Sequence, residues 1–98
     1  MCMLDEIRAK RDDIYAIARR HKAERLWVFG SCARKEERPG SDVDILVKFD
    51  DSATANDRID LKFAIADMLD CRADVVSVSQ VLGSPRFARQ ILKERVPV

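Results

Sequence analysis

The chain has 98 residues, of which 47% are hydrophobic and 36% are charged, and its formal net charge is +1. This length fits a single domain spanning residues 1–98, and the composition is that of a soluble globular protein. A net charge this close to zero gives no global field for nucleic acid or for a membrane surface, so we expect direct binding to neither.

The first half of the chain predicts one helix and two strands. Residues 3–22 carry apolar side chains at helical spacing with basic residues opposite, which predicts one amphipathic helix. Residues 25–29 are aromatic and branched and end at Gly30, so they predict a first strand, with Trp27 expected in the core. After a polar segment with a Pro-Gly turn signal, residues 42–49 alternate between apolar and polar side chains and predict a second strand.

The second half predicts a helix, a strand and a last helix. Residues 54–69 carry a broad set of apolar side chains that predicts a helix: Ile59, Leu61, Phe63, Ile65, Met68 and Leu69. Residues 74–78 predict a third strand, and Ser84-Pro85 is a helix-start pair for a helix that Pro97 stops. No apolar run approaches the ~18 residues of a membrane span and no signal core is present, so we expect a cytoplasmic protein.

Three aspartates are predicted to meet at one edge of the sheet. Asp42 and Asp44 lie two residues apart on one strand, so both side chains leave the same face, roughly 7 Å apart. The helix between the second and third strands has the length of a crossover connection, which favours parallel strands. Parallel neighbours start at the same edge, so Asp74 falls beside the first two aspartates, and the Gly30-Ser31 turn reaches that edge as well.

This arrangement of residue types favours a metal and phosphate site. Clustered carboxylates repel one another unless a cation is present, and all-oxygen ligation suits Mg²⁺, which keeps substrate phosphates as further ligands. Gly30 allows the backbone to approach a phosphate, and Ser31 can donate from its N–H and hydroxyl. Arg34 can neutralise phosphate charge, with Lys35 and Arg38 as weaker candidates. Phosphoryl or nucleotidyl transfer needs little more than this positioning and charge stabilisation.

Other polar residues have simpler interpretations. Six aspartates near the 54–69 helix are expected to act as caps or solvated charges: Asp50, Asp51, Asp57, Asp60, Asp67 and Asp70. The separated cysteines, Cys2, Cys32 and Cys71, lack the spacing of a zinc site and are odd in number, so we expect reduced thiols. The basic residues of the last helix form either a solvated face or a docking surface for an acidic partner or nucleic acid: Arg86, Arg89, Lys93 and Arg95.

The pattern Gly30-Ser31-x₁₀-Asp42-x-Asp44, with Asp74 following, resembles the signature of the DNA polymerase β-like nucleotidyltransferase superfamily. The short chain and the run from Phe29 to Arg34 resemble its minimal nucleotidyltransferase (MNT) branch. The resemblance implies an α/β fold in which a small three-stranded mixed sheet is flanked by helices in the order αβαβαβα.

The resemblance also implies transfer of a nucleotide from an NTP, with ATP as donor and two Mg²⁺ ions. Asp42 and Asp44 would hold the metals, and Asp74 would assist metal binding or take the proton from an acceptor hydroxyl. Gly30 and Ser31 would hold the triphosphate.

Arg34 would help the pyrophosphate leave. The family often has glycine directly after this arginine, where the chain has Lys35, so we expect a loop that is less mobile or differently aimed. Cys32 lies inside the motif at a position where relatives vary, and passive packing is its simplest role.

MNT proteins of this kind are commonly antitoxins paired with a HEPN-domain RNase toxin, and some transfer AMP to a tyrosine of that toxin. Residues 1–98 leave no room for an additional helical domain that binds an acceptor, so we expect the acceptor surface to come from a partner or from a second copy. This favours a protein acceptor, a HEPN toxin above all. Two alternatives stay open: a nucleotidyltransferase that acts on a small molecule, and a non-catalytic antitoxin that neutralises by contact alone.

Overall fold

The computed structural model describes residues 3–30 and 42–98. Its helices are α1 (Met3–Ala9), α2 (Arg11–Arg20), α3 (Ala55–Leu69), α4 (Val78–Leu82) and α5 (Pro85–Glu94). Its strands are β1 (Ala23–Phe29), β2 (Val43–Phe49), β3 (Ala73–Ser77) and β4 (Val96–Pro97). Within these two ranges, no helix has both the length and the apolar character needed to span a bilayer.

The strands form one mixed sheet in the order β3-β2-β1-β4. β1 is antiparallel to both of its neighbours, whereas β2 and β3 are parallel and joined through α3. The α/β class, the mixed sheet and the parallel crossover are therefore confirmed, but the predicted count of three strands is wrong because β4 adds a fourth.

β4 was not predictable as a strand because it has only two residues, too few to show alternation. It pairs through Trp27 with Pro97 and through Val28 with Val96. Pro97 has no N–H to donate, and it is tolerated because β4 lies at the edge of the sheet. The prediction that Pro97 marks the end of the last helix is consistent with α5 ending at Glu94.

The predicted single helix over residues 3–22 is instead two helices separated at Lys10, whose φ of −100° and ψ of 15° leave the helical range. Residues 8–13 contain no apolar side chain larger than alanine, so nothing in this turn anchors it to the core. The break places the Lys10 ammonium 3.2 Å from the carbonyl oxygen of Met68, in the last turn of α3.

The sheet separates two apolar layers. Buried residues of α1, α2 and α3 pack on one face with Val28, Ile45 and Val75, and α4 and α5 pack on the other face with Phe29 and Leu46. Trp27 is half-buried against the second layer, with the guanidinium carbons of Arg25 and Arg95 at 5.5 Å and 4.9 Å from its ring centroid. Both faces of β1 are covered, as its sequence predicts.

Two of the aspartates expected to act as caps or solvated charges cap α3, and a third, Asp50, forms hydrogen bonds in the turn before it. Thr54 and Asp57 form a capping box at the start of α3, in which the Thr54 N–H donates to Asp57 at 2.9 Å. Asp70 ends α3 in the left-handed conformation. Asp50 accepts from the hydroxyl of Ser52 at 2.6 Å and from its N–H at 2.7 Å, and these bonds lower the pKa of the Asp50 carboxyl.

Candidate active site

The three predicted carboxylates lie on neighbouring strands at one end of the sheet. Asp44 is in register with Asp74 of β3, and Asp42 directly precedes β2. Alternation puts Asp42 and Asp44 on the same face of the sheet, and the register puts Asp74 on that face as well. Asp42 and Asp74 are exposed and Asp44 is half-buried. The backbone therefore places these three residues at the same end of the sheet, as predicted. Their chemical roles stay predictions.

We call Asp42, Asp44 and Asp74 the carboxylate row. Gly30 lies next to Asp44 in this row. Its neighbour Phe29 pairs with Asp44, and Gly30 itself has a φ of +73°, which L side chains rarely adopt. A Cβ atom at position 30 would lie 2.5 Å from Oδ2 of Asp44, closer than real Cβ contacts allow. Glycine is therefore needed here both for the backbone conformation and for the space that Asp44 occupies.

Part of the predicted phosphate site lies outside the described residues. This applies to Ser31 and Arg34, and also to Cys32, Lys35 and Arg38. Gly30 is the one member of the predicted phosphate-binding set whose position the structure gives.

A cavity of about 390 Å³ opens beside the carboxylates. We call it the Phe63 cavity, and its lining consists of Asp42, Lys62, Phe63, Ala66, Cys71, Arg72, Ala73 and Asp74. Burial, reinforced by the negative charges of Glu6, Asp70 and Asp42, raises the pKa of the Cys71 thiol. The thiol is therefore protonated and weakly nucleophilic at neutral pH.

Phe63 is a residue whose position the sequence interpretation missed. Leu61, Ile65 and Leu69 form the buried stripe of α3, whereas Phe63 is 64% exposed and Ile59 is 41% exposed. At 100° per residue, a side chain two positions from a buried one points about 200° around the helix. The apolar face is therefore narrower than predicted, and a helical-wheel count would have found the two outward residues.

The donor chemistry of the carboxylate row fits Mg²⁺, because the ion prefers hard oxygen ligands and tolerates a small number of protein carboxylates. Asp44 and Asp74 occupy paired positions on adjacent strands. Over residues 3–30 and 42–98, however, no three His, Cys, Asp or Glu side chains are grouped so that they could hold a metal. Binding of one Mg²⁺ ion by all three carboxylates would therefore require their side chains to turn toward one another.

A second cavity of about 510 Å³ lies at the opposite end of β2 and β3. Its lining includes Lys48, Thr54, Arg58, Ser77 and Gln80. The guanidinium of Arg58 donates to the carbonyl oxygen of Val75 at 3.4 Å, and Ser77 and Gln80 cap α4 reciprocally. The polar groups of Arg58, Ser77 and Gln80 therefore already form hydrogen bonds within the protein.

Comparison with known proteins decides the family. The family described as polymerase beta, nucleotidyltransferase matches residues 12–98. The chain belongs to this nucleotidyltransferase family. MJ0435 of Methanocaldococcus jannaschii, named "Putative protein adenylyltransferase", is 34% identical over 95 residues, which is 97% of each chain.

Solved structures agree with this assignment. A structure titled "Structure of putative minimal nucleotidyltransferase" superposes with a TM-score of 0.83 at 40% identity, over 100% of this chain and 97% of the other. A toxin–antitoxin structure with AMP-PNP gives a TM-score of 0.73 at 24% identity, over 88% of this chain and 69% of the other. A chain from the complex of tri-AMPylated Shewanella oneidensis HEPN toxin with MNT antitoxin gives 0.67 at 22% identity, over 92% and 69%. At these identities, the last two show the fold of the nucleotidyltransferase family.

Proposed function

We propose that this nucleotidyltransferase is an MNT-type antitoxin that transfers AMP from ATP to a hydroxyl of a HEPN-domain toxin. The observation that carries the proposal is the placement of Gly30 beside the carboxylate row. A glycine that its surroundings require lies next to Asp44, which is paired with Asp74 on the adjacent strand. The protein adenylyltransferase name of the archaeal relative and the toxin–antitoxin titles of the structural neighbours support the choice of a protein acceptor.

In this proposal, the backbone at Gly30 approaches the triphosphate, and Ser31 and Arg34 complete its binding. Asp42 and Asp44 would hold Mg²⁺, and of the two roles open to Asp74, metal binding or acceptance of the hydroxyl proton, we propose the second. When bound, Mg²⁺ supplies positive charge that offsets the charge of the phosphates and of the departing pyrophosphate. Holding the donor and the acceptor in line provides most of the rest of the rate enhancement.

The transfer balances with groups that this chain and its substrates supply. The acceptor oxygen forms a bond to the α-phosphorus, and the bond from that phosphorus to the oxygen bridging the α- and β-phosphates breaks. Pyrophosphate leaves with the electron pair of the broken bond. The proton of the acceptor hydroxyl passes to the carboxylate of Asp74, which is exposed and therefore open to an incoming hydroxyl.

We further propose that residues 1–98 act as a single domain in the cytoplasm, where ATP is available and thiols stay reduced. In this proposal the partner protein provides the acceptor surface, and neither nucleic acid nor membrane takes part directly. A neighbouring gene encoding a small helical protein with an Arg-x₄₋₆-His motif would identify the toxin.

Two labelled forms of ATP test this function. The purified protein is incubated with Mg²⁺, the protein encoded by the neighbouring gene, and ATP labelled on either the α- or the γ-phosphate. We expect α-label, and not γ-label, on the partner, because AMP is transferred and pyrophosphate leaves. Label in a small metabolite would favour the small-molecule enzyme, and neutralisation of the toxin without any transfer would favour contact alone.

A further inference from the structure

The Phe63 cavity has an apolar wall that is open to solvent. Phe63 is 64% exposed, and Ala66 and Ala73 continue the apolar lining. An exposed aromatic ring beside Asp42 and Asp74 is typical of a contact surface, since aromatic side chains contribute large contact area at low conformational cost. The cavity volume of about 390 Å³ suits a few side chains of a partner segment.

The same cavity carries two cations, from Lys62 and Arg72. Neither forms an ion pair with another residue in the part of the chain that the structure covers. The Lys62 ammonium lies 6.0 Å from the Phe63 ring centroid, so the charge and the aromatic wall are adjacent. A segment that combines an apolar side chain with an acidic one therefore complements this lining.

The strand order places this cavity on one particular side of the carboxylate row. Gly30 follows β1, on one side of β2, and Asp74 lies on β3, on the other side. The lining includes Asp42 and Asp74 but neither Gly30 nor Asp44, so the cavity opens on the β3 side. Within the plane of the sheet, the phosphate side and the cavity side thus lie on opposite sides of β2, and the cavity reaches the carboxylate row through Asp42 and Asp74.

Nucleotidyl transfer requires the entering and leaving oxygens to be roughly in line on opposite sides of the phosphorus. With the leaving pyrophosphate on the Gly30 side, the entering hydroxyl approaches from the β3 side. We propose that the Phe63 cavity seats the hydroxyl-bearing segment of the acceptor protein, with an apolar side chain on Phe63 and an acidic side chain near Lys62 and Arg72. This inference rests on the proposed function and assigns its acceptor surface.

Steady-state label transfer with the neighbouring-gene protein as acceptor tests the assignment. We expect Phe63→Ala to raise the KM for the acceptor about tenfold, equivalent to about 1.4 kcal/mol, and to leave the KM for ATP unchanged. Phe63→Trp, which keeps an aromatic wall, should stay close to the wild type. The matched control is Leu82→Ala, since Leu82 is 65% exposed but lies on α4, and it should change neither KM.

Charge reversal gives an independent measurement. We expect Lys62→Glu to raise the KM for the acceptor, with a difference from the wild type that shrinks at high salt because the interaction is screened. Arg20→Glu, at an exposed position on α2, is the control and should have no effect.

The outcomes of these experiments distinguish the assignment of the acceptor surface from the proposed function on which it rests. A higher KM for ATP in Phe63→Ala, with the acceptor KM unchanged, would make the cavity a nucleotide subsite and overturn the proposal. Equal acceptor KM values for Phe63→Ala, Leu82→Ala and the wild type would overturn it as well. Absence of transfer by the wild type would refute the proposed function itself and, with it, the acceptor assignment.

Discussion

Replacing Gly30 with alanine tests whether the glycine next to the carboxylate row is required by its surroundings. The φ of +73° costs an L residue about 1–2 kcal/mol, and the new Cβ would lie 2.5 Å from Oδ2 of Asp44. Rotating Asp44 away from it adds about 1 kcal/mol. The lower entropy of the unfolded alanine chain offsets about 0.4–1 kcal/mol of this cost. We therefore expect the free energy of unfolding to fall by about 1–2.6 kcal/mol.

The functional effect of Gly30→Ala should exceed its effect on stability. Most domains are stable by about 5–15 kcal/mol, so the variant should remain folded at 25 °C. Because Asp44 must move, we expect label transfer to fall by about 100-fold, the scale associated with misplacing a reacting group by about 1 Å. Urea unfolding gives the stability, and the transfer assay gives the rate.

Gly83→Ala is the matched control for this experiment. Gly83 ends α4 with a φ of −75°, and a Cβ there would meet the carbonyl oxygens of Gln80 at 3.4 Å and Ser79 at 3.9 Å, which are ordinary van der Waals contacts. We expect unchanged activity and a stability within about 0.5 kcal/mol of the wild type, or slightly above it. If Gly30→Ala were as stable and as active as Gly83→Ala, the close approach of Gly30 to Asp44 would have no functional importance.

Two further predictions concern Tyr15 and Cys71. Tyr15→Phe removes a hydroxyl that accepts from the Leu26 N–H and donates to the Val98 carbonyl, both at 3.2 Å, so urea unfolding should show a loss of about 1–2 kcal/mol. Amide exchange at Leu26 should quicken, and unchanged exchange would contradict this role. Since burial raises the pKa of Cys71, peptide mass spectrometry should find slower alkylation at pH 8 in the folded than in the unfolded protein. The folded thiol holds its proton more tightly, so this group's contribution to stability is present at neutral pH and is lost as pH rises above about 9. Equal alkylation rates would contradict the raised pKa.

The sequence was sufficient for the strands that position the site. Alternation from Asp42 to Phe49 placed two carboxylates on one face, and the crossover helix placed Asp74 beside them, because both features follow from local periodicity and chain length. The observed register of Asp44 with Asp74 confirms this placement. The chemical roles of these residues depend on bound groups, so they remain predictions.

Features that depend on tertiary contacts were harder to predict. The pairing of β4 with β1 and the contact of Lys10 with Met68 join distant segments, and the local pattern carries little trace of either contact. The break at Lys10 itself has a local sign, because residues 8–13 carry no apolar side chain larger than alanine. Two other features had local signals that could have been used. Ser77 and Gln80 form a capping box that predicts α4, and the offset of Phe63 from the buried stripe of α3 predicts its exposure.

The most direct test of the nucleotidyl-transfer hypothesis is the rate of α-label transfer by a variant with both Asp42→Asn and Asp44→Asn. These changes keep the side-chain size and remove the charges proposed to hold Mg²⁺. We expect the rate to fall by about 10³-fold or more, equivalent to about 4 kcal/mol of transition-state stabilisation. Asp60→Asn, at an exposed position on α3, serves as the control and should transfer label at the wild-type rate. Transfer by the double variant at the rate of this control would contradict the assignment of the site.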